Sequence, residues 1–265
     1  MSHCMNDYLF YNFYKYIKYG LIMDKKNKIW IWPLLVMGLL LILTSGCKKT
    51  DNNPTDTLTK ITDKDGNVYK TVTIGKQVWM AENLKTTKFS DNTAIPKVSD
   101  LTAWTHLSTP AYCWYDNDSA TNKPLYGAIY NWFTVNTGNL CPTGWHAATD
   151  DEYDTLELYL GIVRADLNLW GWRGTDQGAK MKNSSGWAIG ENGTNTSGFS
   201  ALPGGYRYAA SGTFNDLGNL SYWWTATNDG TEGAWYRRLD GNNNGIYKAS
   251  TGQTAGKYVR CVKDK

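Results

Sequence analysis

Groups that perform chemistry are scarce in this sequence. Its 265 residues include three histidines and five cysteines, and none of them stands at C-x-x-C or H-x-x-H spacing, the spacing that would indicate a zinc site. The G-x-S-x-G element of serine hydrolases does not occur. Beyond residue 46 the histidines are His106 and His146, and for His146 we predict a structural hydrogen bond. The sequence therefore gives no support to metal or nucleophilic catalysis.

The chain also has no net positive charge once its first 46 residues are set aside. Residues 1–46 hold five lysines and two aspartates, which account for the whole formal net charge of +3. The remainder is neutral, and a neutral domain lacks the basic surface that nucleic-acid binding needs. We therefore expect no nucleic-acid partner.

Long hydrophobic runs are missing except for one, at residues 29–43. It follows three lysines and precedes Ser45, Gly46 and Cys47. A basic segment, an apolar stretch of this length and small residues at its end are typical of a signal peptide, whereas a membrane span needs about twenty apolar residues. The ending is similar to a lipobox, so we predict lipidation of Cys47. The alternative is an ordinary leader, with Cys47 as a free thiol.

These features divide the chain into four parts. Residues 1–22 are rich in tyrosine and precede the expected start of the leader, so we interpret them as an upstream mis-start. Residues 23–46 are the predicted signal peptide, residues 47–60 a polar tether, and residues 61–265 a single folded domain. We expect a lipid-anchored protein of the cell envelope, at the outer membrane and facing either the periplasm or the outside.

Local patterns predict several elements of this domain. Alternation before and after Gly75-Lys76 indicates a β-hairpin. Thr149 and Glu152 form a capping box at the start of a helix that ends at Gly161. We expect a second helix near residues 127–134. Short strands are expected at residues 223–226, 234–239 and 258–262.

Several motifs resemble one family. They are CPTGWHAATDDEYDTL at residues 141–156, SGFSALPGGYR at 197–207, YWWTAT at 222–227 and VRCVKD at 259–264, with WMAENLK at 79–85 and YCWYDND at 112–118. In this order they resemble the Fibrobacter succinogenes major paralogous domain, a family that is often found on lipoproteins of Bacteroidetes-type bacteria. The resemblance covers about residues 61–264.

A more distant resemblance bears on fold and activity. GWHAATDDEY, GTFNDLGNLSYWW and KYVRCVKD are similar to elements of formylglycine-generating enzymes. This resemblance implies an α+β domain of the C-type-lectin-like fold, with a twisted antiparallel sheet, about two helices and long ordered loops. Those enzymes need a closely spaced cysteine pair before the last strand, and residues 240–257 contain no cysteine. We therefore predict a protein that is not an enzyme.

The family motifs also suggest a disulfide. Cys141 and Cys261 both lie in the most regular motifs, so the resemblance implies that they pair and leaves Cys113 as a buried thiol. Exported proteins can hold disulfides. Three buried thiols remain the alternative.

We expect no cofactor and no metal, with calcium as the open alternative. Asp63 and Asp65 lie in one D-x-D-G-N segment, and Asp116 and Asp118 in a second acidic segment. Neither segment has EF-hand spacing, and the first is typical of a turn.

The last quarter of the chain has a composition suited to binding, because aromatic side chains and arginine provide rigid contact area and forked donors. The candidate ligand-binding residues are Tyr222, Trp223, Trp235, Tyr236, Arg237, Arg238, Asn242, Asn243, Asn244 and Tyr247. They predict a noncatalytic binding module for a glycan or protein ligand. Packing of loops, and a simple turn at residues 242–244, are the structural alternatives. Two other functions stay open: a receptor of this fold diversified by a retroelement, and an enzyme with an unrecognised site.

Overall fold

A computed structural model describes residues 61–265. The predictions for residues 1–22, 23–46 and 47–60, including the lipidation of Cys47, lie outside the described residues. The described residues belong to one compact unit. Within that part of the chain no helix has the length and apolar character needed to cross a bilayer.

The described chain forms fourteen strands and five α-helices. The strands are β1 (Ile61–Thr62), β2 (Val68–Tyr69), β3 (Thr71–Ile74), β4 (Gln77–Met80), β5 (Tyr112–Cys113), β6 (Ile129–Tyr130), β7 (Trp145–Ala147), β8 (Gly171–Arg173), β9 (Gly204–Arg207), β10 (Phe214–Leu217), β11 (Leu220–Asn228), β12 (Gly233–Asp240), β13 (Asn243–Gly252) and β14 (Cys261–Lys263). The helices are α1 (Leu101–Thr105), α2 (Ser119–Tyr126), α3 (Trp132–Val135), α4 (Asp150–Leu160) and α5 (Gln177–Met181), and two 3₁₀ turns lie at Tyr115–Asn117 and Arg164–Asp166.

The architecture is mixed α+β, as predicted. The strands form a six-stranded sheet in the order β10-β9-β11-β12-β13-β8, a four-stranded sheet in the order β3-β4-β14-β7, and two two-stranded sheets. Pairing is antiparallel except between β9 and β11. Neither of the larger sheets closes into a barrel in the described part of the chain. The expectation of about two helices was too low.

The four-stranded sheet joins both ends of the described chain. The predicted hairpin of β3 and β4 is confirmed, with Ile74 opposite Gln77 and Gly75 at φ 63° in the turn. The last strand, β14, lies between β4 and β7. Beside it, Cys141 and Cys261 form a disulfide, the pairing that the resemblance implies. Cys113 is a buried free thiol, and burial raises its pKa to about 12.

Helix α4 begins and ends as its sequence predicts. Thr149 and Glu152 form the capping box, and Gly161 closes the helix in the left-handed conformation at φ 106°. Tyr153, Leu156 and Leu160 are buried on one face. This face packs onto the six-stranded sheet, so α4 divides that sheet into a covered side and an opposite side.

The helix expected near residues 127–134 was confirmed only over its last part, in α3, and was wrong for residues 127–131. Gly127 has φ 81° and ψ −164°, which no helical residue adopts, and it lies against the backbone oxygen of Leu84. The next residues form β6, paired with β5. Only then does α3 begin, capped by Asn131, whose side chain accepts a hydrogen bond from Thr134 N.

The strands expected near the C-terminus were partly confirmed. Residues 223–226 and 234–239 lie within β11 and β12, which are longer than predicted. The strand expected at residues 258–262 starts only at Cys261. Tyr258 lies before it and makes an isolated bridge to Trp223. Strand β13 was not predicted.

Candidate ligand-binding face of the six-stranded sheet

Side chains of the six-stranded sheet alternate between two faces. In β12, Trp235 and Arg237 point towards α4, whereas Tyr236 and Arg238 point to the other side, as their partners below show. We call these the helix face and the outer face. The register places Arg238 between Tyr222 on β11 and Tyr247 on β13, so the same parity continues across the central strands.

On the helix face, Arg237 is enclosed by carboxylates of α4. Its three nitrogens lie 2.6–2.7 Å from Asp150, Asp154 and Glu157, which are spaced along one side of the helix. Burial opposes the charge of Arg237, but the carboxylates of Glu157 and Asp150 outweigh it and raise the pKa of Arg237. The group is a buried ion cluster with no donor left over for a ligand.

Two further cations complete the cluster. Lys248 Nζ lies 2.7 Å from Asp150 Oδ2, and Arg173 Nη2 lies 2.7 Å from Glu157 Oε2. Burial raises the pKa of Asp150 less than Arg237 and Lys248 lower it, so this carboxylate stays ionised. The cluster attaches α4 to three strands of the sheet.

The ligand-binding predictions for Trp223 and Arg237 need correction. Trp223 is fully buried and donates from Nε1 to Asn83 Oδ1 at 2.8 Å. Trp224 is also fully buried, and its Nε1 donates to Tyr130 O at 3.0 Å. Arg237 is 1 % exposed inside the ion cluster. Neither Trp223 nor Arg237 is accessible to a ligand.

Trp235 and the asparagines lie away from the outer face. Trp235 is half-buried at the margin of the helix face, where its ring centroid is 4.8 Å from that of Trp170. Asn242 and Asn244 are exposed at the connection between β12 and β13. Buried Lys182 donates to three carbonyls of this connection. These hydrogen bonds fix the conformation of the turn between the two strands.

The outer face carries a continuous series of aromatic rings, which we call the aromatic row. Neighbouring centroids in it are 4.5–6.4 Å apart. In spatial order its members are Tyr208, Tyr206, Tyr222, Tyr236, Tyr247 and Trp172. With strands about 4.8 Å apart, a row from β9 to β8 spans on the order of 20 Å. Tyr222 is buried beneath its neighbours, while the other rings are half-buried or exposed.

Gly171 lies between Trp170 and Trp172 and directs these two side chains to opposite faces of the sheet. Gly171 has φ 85°, which breaks the strand alternation. As a result Trp170 contacts Trp235 on the helix side, whereas Trp172 contacts Tyr247 and Arg238 on the outer side. Trp170 and Trp172 are 62 % and 37 % exposed. The pair supplies a matched test of the two faces.

Arg238 lies within the aromatic row. Its guanidinium carbon is 4.2 Å from the Tyr247 ring centroid and 4.9 Å from that of Trp172. Its Nε is buried and has no hydrogen-bond partner. Nη2 is 3.7 Å from Asp240 Oδ2, too long for a hydrogen bond. The rings fix the guanidinium by cation–π contact and leave its polar edge available.

Lys257 lies beneath the row. Its Nζ is 4.2 Å from the Tyr236 ring centroid, 4.9 Å from those of Tyr222 and Trp224, and 5.3 Å from that of Tyr206. Burial, with the positive charge of Arg238, lowers the pKa of Lys257 to about 7. Burial also raises the pKa of Tyr236 to about 12, so this phenol stays protonated at neutral pH. The face therefore combines neutral hydroxyls, ring surfaces and two cationic side chains.

The histidines do not belong to this face. His106 is exposed at the end of α1, with Nδ1 2.8 Å from Thr102 O. His146 lies between Glu152 and Asp264, with ring nitrogens 2.7–2.9 Å from their carboxylates. Burial lowers the pKa of His146, but the hydrogen bonds of Asp264 and Glu152 outweigh it and raise that pKa. Its hydrogen bonds hold the start of α4 and the C-terminal segment together.

The calcium candidates are structural aspartates. The carboxylate of Asp63 accepts from Asp65 N, Asn67 N and the Tyr69 hydroxyl. Asp65 accepts from Thr87.

In the second acidic segment, Asp118 caps α2 by accepting from Ala120 N and Thr121 N, and Asp116 is exposed. Across residues 61–265, no three His, Cys, Asp or Glu side chains are grouped to hold a metal ion.

A recess of about 370 Å³ lies away from the aromatic row. It is lined by Ile61, Thr62, Asp63, Lys64, Pro142, Thr143 and Trp145. The carboxylate of Asp63 is already taken by hydrogen bonds. The carboxylate that lines the recess is therefore not free to orient a ligand.

Sequence reasoning found Tyr222, Tyr236, Arg238 and Tyr247, which the structure brings together. It missed the other members of the site, which are Trp172, Tyr206, Tyr208 and Lys257. Alternation was the available signal, because Tyr206 and Tyr208 stand two residues apart, as do Tyr236 and Arg238. Nothing local pointed to Lys257, since its neighbours come from other strands.

Comparison with known proteins gives one match. The family model described as Fibrobacter succinogenes major domain matches residues 72–263. No curated protein and no solved structure matches.

Proposed function

The chain belongs to the Fibrobacter succinogenes major domain family, and we propose that it is a noncatalytic binding module whose aromatic row takes an extended glycan. The observation that carries the proposal is the row itself, six rings in sequence across one face of a rigid sheet. A sugar ring presents C–H bonds on its faces and hydroxyls around its edge. Aromatic faces suit the former, and the tyrosine hydroxyls and Arg238 suit the latter.

Rigidity favours binding by this face. Five of the six rings lie on strands, Tyr208 directly follows β9, and each ring is packed against a neighbour, so little side-chain entropy is lost when a ligand is bound. An extended chain of sugars matches the length and shallowness of the row better than a compact small molecule does.

The same face argues against catalysis. Lys257 is the group closest to an activated nucleophile, because a lysine with a pKa of about 7 is partly neutral at physiological pH. However, it is 2 % exposed and packs among the rings of Tyr206, Tyr222 and Tyr236. A substrate cannot reach Nζ unless these rings move, so we assign the lysine to the binding face.

The module belongs, in this proposal, to a lipid-anchored envelope protein with a C-type-lectin-like fold. The leader-like residues 23–46 and Cys47 support the anchor, and a disulfide suits an oxidising compartment. The antiparallel sheets and long loops support the fold. Labelling cells with a fatty acid tests the anchor: the label should enter the chain and be lost in Cys47→Ser.

The binding proposal is tested with the full-length chain in detergent on a panel of immobilised glycans, with and without calcium. We expect saturable binding that Trp172→Ala weakens at least tenfold, or about 1.4 kcal/mol. Tyr236→Ala should weaken it similarly, because it removes the ring at the centre of the row.

Trp170→Ala is the matched control. It removes an equally large ring two residues away on the other side of the sheet, and affinity should stay within about twofold. Equal losses for Trp170→Ala and Trp172→Ala would contradict the assignment of the face. Absence of glycan binding, together with capture of a protein ligand by the same face, would replace the glycan with a protein.

A further inference from the structure

Most buried cations of the described domain already have polar partners. Three of them contact carboxylates, and three donate to backbone carbonyls. The first group is Arg173, Arg237 and Lys248, and the second is Lys182, Arg207 and Arg260. This pattern follows the rule that buried charge is paired or hydrogen-bonded.

Arg238 departs from this pattern. Its guanidinium lies between the Tyr247 and Trp172 rings, none of its nitrogens donates a hydrogen bond within the described residues, and its ion pair with Asp240 is 3.7 Å long. Nε is enclosed, so a ligand can be bound only through the Nη edge of the guanidinium. The rings orient the fork before any ligand arrives, so the remaining donors already have a fixed direction.

Lys257 is a second basic side chain on the same face. It is 2 % exposed, and its Nζ contacts four rings, with no carboxylate of the described residues within ion-pair distance. Arg238 and, in its protonated form, Lys257 therefore lie within one group of aromatic rings.

Two carboxylates border the row, and neither forms a hydrogen bond with these basic side chains. Asp240 Oδ2 is 3.7 Å from Arg238 Nη2, and it lies at the end of β12. Asp216 accepts from the Tyr222 hydroxyl at 3.3 Å. Neither accepts a hydrogen bond from Arg238 or Lys257.

We infer that the glycan bound by the aromatic row is acidic, and that Arg238 holds its oxyanion, a carboxylate or a sulfate, through the free edge of the guanidinium. A planar fork matches a two-oxygen anion, and such charge-assisted pairs are the strong ones. This inference rests on the proposed function, because it names the class of glycan that the row takes.

The test compares matched oligosaccharides on the full-length chain. One pair is oligogalacturonate and its methyl ester, which share a backbone and differ in carboxylate charge. A second pair is sulfated and unsulfated galactan. We expect one charged member to bind at least tenfold more tightly than its neutral partner, and the pair that shows this identifies the anion.

Variants assign the effect to one residue. Arg238→Gln should reduce the ratio of acidic to neutral affinity from at least ten to about one. Arg238→Lys should leave an intermediate ratio, because it keeps the charge and loses the fork. Arg164→Gln is the control, since Arg164 is exposed outside the row, and its ratio should equal that of the parent. Thermal unfolding verifies that each variant is folded.

The outcomes separate the two proposals. Equal binding of neutral and acidic members overturns the acidic ligand and leaves the glycan-binding row intact. An acidic preference that Arg238→Gln does not change overturns the role of Arg238. Absence of binding to every member of both pairs and of the wider panel overturns both proposals together.

Discussion

On the helix face of the six-stranded sheet Arg237 lies among three carboxylates, whereas on the outer face its neighbour Arg238 lies between aromatic rings with Nε unpaired. Consecutive residues of one strand thus carry the same charge into opposite surroundings. The covered face uses its charge internally to attach a helix. On the outer face Arg238 has one long ion pair, with Asp240 at 3.7 Å, and donates no hydrogen bond to any residue that the structure describes, so its Nη donors are available to a ligand.

The largest expected effect on stability comes from a comparison of substitutions at two adjacent residues, Arg237 and Arg238. Arg237→Ala leaves Asp150, Asp154 and Glu157 together without their central cation, so we expect a loss of about 3–5 kcal/mol in the free energy of unfolding. Arg238→Ala should change it by about 1 kcal/mol or less, because the only ion pair that it breaks among the described residues, with Asp240, is long and partly exposed. Urea unfolding at pH 7 measures both. Equal losses would remove the distinction between the faces.

The next largest expected effect on stability comes from Lys257 and depends on pH. Its pKa in the folded protein is about 7, below the ordinary value of 10.5. The folded state therefore disfavours the proton, and this cost is complete below pH 7 and declines as pH rises towards 10.5. Lys257→Met should be more stable than the parent by about 1–3 kcal/mol at pH 6, less than the full shift because the rings attract the cation.

The advantage of Lys257→Met should shrink steadily between pH 7 and pH 10. Lys263→Met is the control, since Lys263 is exposed and lies outside the aromatic row. A constant difference between Lys257→Met and the parent across this range would show that burial does not disfavour the charge.

The smallest effect concerns the start of α4, the helix that covers the helix face. The pKa of His146 is raised, so its ion pairs stabilise the fold fully below pH 6.5 and lose that contribution as pH rises through the elevated value. His146→Asn should cost about 0.2–1 kcal/mol at pH 5.5, as for partly exposed pairs. The cost should decrease at higher pH. His106→Asn is the control, and a cost that grew with pH would contradict the ion pairs.

Local sequence was sufficient where the determining groups are neighbours in the chain. The hairpin of β3 and β4 follows from alternation around Gly75, and α4 from the box of Thr149 and Glu152. Helix α2 escaped prediction because Pro124 lies inside it and its residues are mostly polar. The segment after Gly127 was predicted as a helix because its apolar residues suit one. Its pairing with β5, which is distant in sequence, makes it a strand instead.

The site was only half predictable for the same reason. Composition identified Tyr236 and Arg238, but whether a face is covered depends on α4, about eighty residues earlier. Arg237 looked like a binding residue until its carboxylate partners were placed beside it. Alternation sorts residues into two faces, and only the packing of distant elements decides which of the faces meets solvent.

The position of the final strand governs when the molecule can be completed. Residues 256–264 form backbone hydrogen bonds with segments near residues 84, 130, 147, 207 and 222. The ribosome makes these residues after all the segments they pair with, so both large sheets lack an inner segment until residues 256–264 have been synthesised. Pairings over such separations form slowly. A premature stop codon before residue 256 would therefore deprive five segments of their partner at once, where the loss of a peripheral strand would merely shorten one edge.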